Sequence, residues 1–247
     1  MTSARQIFDI TGTEAEPFLQ GLVSNDMARL DQGLVYAALL SPQGKYLADF
    51  FLLRHDGGVL LDVADLLAPA LIKRLTMYKL RADVAILPTD LQVWQGLDDM
   101  PSDAHTDPRH PALGWRAYRA TPGPGIDPAD WDALRVAHTV PESGIELIPD
   151  DTYILEAGFE RLHGVDFRKG CYVGQEVTAR MKHKTELRKG LVRVAIDGAA
   201  PVGSEITADG KPAGTLFTQA NGHALAHLRF DRADGPMLAG GARVTLA

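Results

Sequence analysis

After residue 188 the chain breaks into short apolar segments, 191–196, 205–207, 213–217, 224–228 and 244–246, separated by turns that contain Gly, Asn or Pro. Segments this short, at this spacing, predict a small antiparallel barrel or sandwich. A boundary near residue 188 follows, with one unit over 1–188 and a β-barrel over 189–247.

The first unit reads as mixed α and β. Thr13-Glu14-Ala15-Glu16 has the spacing of a capping box, with Thr13 accepting a helix amide and Glu16 reaching back, so a short helix is expected to end near Gly21. The apolar runs 35–40 and 46–53 flank Ser41-Pro42-Gln43-Gly44 and predict a hairpin. A strand is expected over 59–63, a helix through Leu67, Leu71, Leu75 and Tyr78, and strands over 84–87 and 91–94. Residues 98–126 form a Pro-rich excursion with 113–118 as its single expected strand. Asp127-Pro128 then opens a helix that ends before Pro141, since Asp caps free amides and Pro loses nothing at the first helical position.

Composition narrows the function. Among 247 residues, 45% are hydrophobic and 23% charged, the balance of a globular chain with a real core. A formal charge of −7 argues against direct nucleic-acid binding, which needs a basic face. Cys171 is the only cysteine, so neither an internal disulfide nor a self-contained cluster with about four Cys ligands is available. No apolar h-region follows Arg5 and no stretch approaches the ~20 apolar residues of a membrane helix. The expectation is a cytoplasmic protein with no membrane contact. Phosphate-loop, zincin, nucleophile-elbow and dinucleotide motifs are absent. His163, His183, His223 and His227 are scattered and read as ordinary surface or core histidines.

The segment Lys169-Gly170-Cys171-Tyr172-Val173-Gly174-Gln175-Glu176 brackets the only thiol with glycines. Val177 and Met181 predict a helix beginning just after Cys171. Helix amides and nearby Lys169 favour a thiolate there, whereas most free cysteines are small buried hydrophobes. Both readings stay open on residue pattern alone.

This octapeptide resembles the K-G-C-[FY]-x-G-Q-E signature of the YgfZ-type folate-binding proteins, relatives of the glycine-cleavage T-protein, an aminomethyltransferase. Phe18-Leu19-Gln20-Gly21-Leu22-Val23-Ser24-Asn25-Asp26, Ser41-Pro42-Gln43-Gly44-Lys45 with Asp49, and Leu113-Gly114-Trp115-Arg116 also resemble that family's motifs. The resemblance implies an α+β fold, in which two intertwined folate-binding lobes occupy 1–188 and a small antiparallel β-barrel follows. It implies tetrahydrofolate, or a one-carbon-substituted folate, in a central opening. It further implies a role in assembling or maintaining iron–sulfur proteins, with those proteins or their assembly factors as partners and with indirect support of tRNA modification. Two departures are present. Leu155-Glu156-Ala157-Gly158 resembles the T-protein where the YgfZ-type proteins usually carry Asn at the Gly158 position, and no glycine stands near Thr185.

Under that resemblance Glu156 anchors the pterin, whose adjacent N–H groups suit a carboxylate; an exposed glutamate at a strand end is the alternative. Asp49 interrupts the apolar run 46–53 and stands near the folate's reactive amines, or it lies on the wet face of a half-exposed strand; alternation does not decide. Cys171 and Asp49 are thus the expected reactive residues. Asn25, Lys169, Gln175 and Arg180 complete the expected folate contacts, although Asn25 and Asp26 also suit a turn. Trp115, Phe159 and Tyr172 suit either ring stacking or the core.

Between Arg168 and Lys189 lie seven basic residues (Arg168, Lys169, Arg180, Lys182, Lys184, Arg188, Lys189) against Glu176 and Glu186. Such a stretch can receive a folate's glutamate tail, or it is a solvated face. Three functions compete: a folate-binding accessory factor for iron–sulfur proteins, which the Cys171 signature favours; a folate-dependent aminomethyltransferase-like enzyme, which Leu155–Gly158 favours; and a non-catalytic interaction module. The first requires the Cys171 sulfur and the Glu156 carboxylate to open onto one shared hollow.

Overall fold

The N-terminal strand β1 (Arg5–Thr11) lies between two antiparallel neighbours, β4 (Gly58–Ala64) and β5 (Ala85–Pro88), as seen in a computed structural model that describes residues 4–184 and 186–247. Thr185 and the side chain of Lys184 therefore lie outside the described residues. The sheet continues through β3 (Tyr46–His55) to β2 (Val35–Leu40), giving the order β2-β3-β4-β1-β5. All of β2 and β4 is buried, as is β3 from Ala48 to Leu53, so these strands read as near-continuous apolar runs rather than as alternation.

Two helices belong to this sheet. The first, α1 (Ala15–Gln20), ends at Gly21, but the expected capping box does not form. Asp83 takes the Thr13 hydroxyl at 2.7 Å and its amide at 3.0 Å, and Glu16 instead pairs with Arg54. A carboxylate 70 residues away outcompetes the local cap. The second, α2 (Ala68–Lys79), buries Ala68, Leu71 and Leu75 at helical spacing.

A three-stranded sheet follows in the order β6-β8-β7: β6 (Gln92–Gly96), β7 (His105–Thr106) and β8 (Trp115–Arg119). The two-residue β7 went unseen because it is too short to show a period. Helix α3 (Pro128–His138) has the expected cap, Asp127 Oδ1 accepting the Ala129 amide at 2.8 Å. A turn-rich segment then leads to α4 (Gln175–Lys184).

The chain ends in a closed antiparallel barrel in the order β10-β11-β12-β9-β14-β13. Its strands are β9 (Lys189–Asp197), β10 (Glu205–Ala208), β11 (Lys211–Ala220), β12 (His223–Arg229), β13 (Met237–Ala239) and β14 (Ala242–Leu246). The expected strands are all present, and β13 is added to close the ring. The barrel has its own core of Val194, Ile206, Leu216, Leu228 and Val244. Its seam with the lobes carries a buried charge. Arg135 of α3, 0% exposed, donates to Glu146 at 2.9 Å and to the Thr218 hydroxyl of β11 at 2.9 Å. Among the described residues no helix is long and apolar enough to cross a membrane.

Candidate functional site

Three quoted motifs meet around the thiol. The Lys169 ammonium donates to the carbonyls of Gln20, Val23 and Asn25 at 2.8, 2.6 and 2.9 Å. Burial lowers its pKa to about 8, while Asp26 and Asp166 pull the other way. Lys169, expected as a folate contact, is a strut between the signature and the loop after α1, with all three N–H groups directed at backbone carbonyls. Gly174 (φ +83°) lies against the hairpin turn. A Cβ there would fall 2.5 Å from the Ser41 carbonyl oxygen and 3.2 Å from Gly44 Cα, so two glycines are needed for the approach.

Gln175, another expected folate contact, shapes the loop: its Oε1 accepts the Tyr172 amide at 2.9 Å. Arg180 is exposed on α4. Cys171, four residues before α4 begins, is exposed, and a Cβ on neighbouring Gly170 would meet nothing within 4 Å. The buried-hydrophobe reading of this cysteine is thereby removed.

Asp49 is 4% exposed, on a central strand covered on both faces. Its carboxylate accepts three hydroxyls: Tyr46 at 2.6 Å, Ser143 at 2.6 Å and Tyr36 at 3.0 Å. Burial and the adjacent Asp49 charge raise both tyrosine pKa values well above their ordinary range, keeping the phenols as donors. Asp62 on β4, which interrupts its own apolar strand in the same manner and was missed, is 1% exposed. It binds Arg5, Arg116 Nη1 at 3.2 Å and the Tyr118 hydroxyl at 3.0 Å. Asp107 completes the cluster. Burial opposes its charge, yet Arg109 and then Arg116 hold its carboxyl below the usual range.

These groups form one buried polar cluster. The hollow bounded by Arg5, Asp49, Arg109, Arg116, Trp131 and Ser143 has a volume of about 10 Å³, far below the several hundred Å³ of an ordinary small-molecule pocket. A reduced folate does not fit there. Asp49, expected beside folate amines, here faces the hydroxyls of Tyr36, Tyr46 and Ser143.

Glu156 opens elsewhere. It is 9% exposed at the seam between the lobes and the barrel, with His227 Nε2 at 3.2 Å and Lys189 Nζ at 3.7 Å, both on Oε2. His227 is thus a site residue without a local signal of its own, since the β9–β12 pairing is what brings it near. Glu156 lines a groove of about 290 Å³ with Met181, Leu187, Arg188, Lys189 and Arg229, and a second hollow of about 100 Å³ with Leu191 and His227. The groove offers an acceptor carboxylate, apolar walls at Met181 and Leu187, and three basic residues for an anionic tail, with Glu186 as a second carboxylate beside them. Gly158 adopts φ +82°; Asn and Gly are the residues that visit this region routinely, so the departure at that position keeps the turn.

Cys171 lines none of the four cavities resolved, whereas Glu156 lines two of them. The thiol precedes the start of α4, and Met181, which borders the Glu156 groove, is six residues further along that helix, a rise of about 9 Å. Among the described residues, none of these four cavities joins the Cys171 sulfur to the Glu156 carboxylate. Asn25, also an expected contact, has its amide spent on the Tyr36 and His163 carbonyls, each at 2.7 Å, and lines a different cleft of about 560 Å³. Phe159 and Trp115 are core residues, Phe159 stacking on Tyr36 with centroids 5.0 Å apart.

Comparison with known proteins agrees with this architecture. The crystal structure of glycine cleavage system aminomethyltransferase T from Bartonella henselae matches the whole chain and 84% of its own, with a TM-score of 0.77 at 15% identity. The family model of the CAF17 C-terminal beta-barrel domain matches residues 188–247. The molecule is therefore a T-protein-like α+β protein carrying a CAF17-type barrel. Iron-sulfur cluster assembly factor IBA57 of Mus musculus is 31% identical over 94% of this chain and 78% of its own length, and that of Homo sapiens is 30% identical over 98% and 81%. A homolog from Mycosarcoma maydis is 34% identical over 76% of this chain and 54% of its own length. The chain belongs to the IBA57 family.

Proposed function

We propose that this chain is an iron–sulfur cluster assembly factor that presents Cys171 to a cluster or to the protein carrying it. The observation that carries this reading is the exposed thiol on a loop braced by Lys169, Gly174 and Gln175. A thiolate is the sulfur ligand of such clusters, and one thiol supplies one of about four ligands. The remaining ligands come from the partner, an iron–sulfur protein or one of its assembly factors. The YgfZ-type resemblance supports the same reading, and effects on tRNA modification would pass through cluster-dependent enzymes. Replacing Cys171 by Ala in a strain lacking the native gene tests it. Loss of cluster-dependent enzyme activity at unchanged protein level is expected; full activity ends the proposal.

A reduced folate enters this reading at the groove beside Glu156. Glu156 would accept one pterin N–H on Oε1 and the adjacent one on Oε2, the oxygen that also faces His227 and Lys189, and Arg188 would meet the glutamate tail. Bound there, the folate would supply a one-carbon carrier. Calorimetry with tetrahydrofolate is expected to show binding that weakens with salt and is lost in Glu156→Gln. Absence of binding removes the folate and leaves the Cys171 role standing. The aminomethyltransferase reading needs Asp49 free for the folate amine, and three hydroxyl donors already engage it. No methylenetetrahydrofolate is expected from an aminomethyl donor.

A further inference from the structure

The plug in the middle of the molecule has the form of a bound ligand. Arg109 comes from the Pro-rich excursion between β7 and β8 and reaches over the first sheet. Its guanidinium carbon lies 4.9 Å from the centroid of Phe51, 5.4 Å from Tyr36 and 5.6 Å from Trp131. Its edge makes a two-pronged contact with Asp107, Nε to Oδ1 at 3.0 Å and Nη2 to Oδ2 at 2.8 Å. Arg109 is 5% exposed and Asp107 2%. Arg116 lies 4.1 Å from the same Phe51 ring and 3.4 Å from Asp107, closing the remaining side.

Three aromatic walls and a carboxylate that accepts a planar N–H fork are what a site for a guanidine-like ring requires. A heterocycle with adjacent N–H groups presents the same edge. Here the chain supplies that edge itself, and the residual hollow of about 10 Å³ leaves no space for a second occupant.

We infer that the centre of this molecule is a self-liganded cage, in which Arg109 occupies a binding site for planar N–H-bearing cations and heterocycles and excludes free ligands of that class. The inference does not rest on the cluster-assembly reading or on the folate groove. It makes the excursion a built-in occupant: withdraw the Arg109 side chain and a site walled by Tyr36, Phe51 and Trp131, with Asp107 at its end, is uncovered.

Arg109→Ala in the full-length chain tests this with methylguanidinium as the probe. Millimolar methylguanidinium is expected to raise the melting temperature of the variant and not that of the wild type, while tetramethylammonium at the same concentration, a cation without N–H groups, does not reproduce the rise. Equal effects of the two cations, or an equal rise in the wild type, overturn the inference. Where Arg109→Ala does not fold unaided, its refolding yield with either cation is the readout, with the same two outcomes. Arg109→Lys, which keeps the charge and loses the planar fork, is expected to gain from neither cation, because its own side chain still fills the cage; a gain equal to that of Arg109→Ala overturns the inference. Hydrogen exchange of the wild type with tetrahydrofolate gives an independent arm. Protection confined to the Glu156 groove, or none, supports the self-liganded centre, and protection of β3 together with residues 105–109 refutes it.

Discussion

Lys169 Nζ lies 2.6 Å from the carbonyl oxygen of Val23, across 146 residues of chain, and this contact ties the thiol-bearing signature to the loop after α1. Two motifs that look independent along the sequence are two halves of one joint. Replacing Lys169 by Met removes the donors of three backbone carbonyls and is expected to cost about 1–3 kcal/mol. Urea denaturation measures the cost, and faster hydrogen exchange at residues 20–26 and 169–175 locates it.

The same lysine gives a pH dependence with a definite sign. An unfolded lysine keeps its proton until about 10.5, whereas burial brings folded Lys169 to about 8. Between these values the unfolded chain binds more protons, so the contribution of Lys169 to stability rises with pH over that window. Denaturant midpoints of wild type and Lys169→Met, compared at pH 7.5 and 9.5, are expected to diverge in the wild type's favour at the higher pH.

A histidine acts with the same sign in acid. His138 stacks on His110 with ring centroids 4.0 Å apart. Burial, and then His110, Arg161 and Arg193, lower the His138 pKa. Below about 6.5 the unfolded histidine takes a proton that the folded one resists, so stability falls as pH drops through that value. His138→Phe keeps a ring against His110 and is expected to flatten the dependence of the denaturation midpoint between pH 7.5 and 5.5.

Asp49→Asn puts an NH2 group where three hydroxyl donors converge, so at least one hydroxyl loses its acceptor at a cost of about 1–3 kcal/mol. The change is expected to lower thermal stability while leaving activity in the Cys171 strain assay intact. Loss of that activity in a fully folded variant would restore a chemical role to Asp49.

Arg135→Met removes the cation of a fully buried pair and leaves Glu146 uncompensated beside β11. The expected loss is about 3–5 kcal/mol, read by chemical denaturation.

The sequence made much of this fold legible, for physical reasons that differ between elements. The Asp127–Pro128 cap is local chemistry and survives folding unchanged. The barrel strands show because each carries its own turn signal, and β13 escaped because three residues have no measurable period. The Thr13 cap failed because Asp83, invisible to local spacing, holds the hydroxyl. At the candidate site, the exposure of Cys171, the His227–Glu156 pair and the Arg109 cage are set by tertiary approach alone. Asp49 marked a buried polar centre correctly in position. Whether such a carboxylate meets ligand or protein depends on Tyr36, Tyr46 and Ser143, which no spacing rule connects.

The solitary, outward-facing sulfur of Cys171 also fixes a reaction order. Because a cluster of the usual kind takes about four sulfur ligands, capture through Cys171 in the proposed role would be an encounter between molecules, and its rate is expected to scale with the product of two concentrations. Dilution would slow it quadratically, and raising the partner's abundance would speed it without any change in this protein.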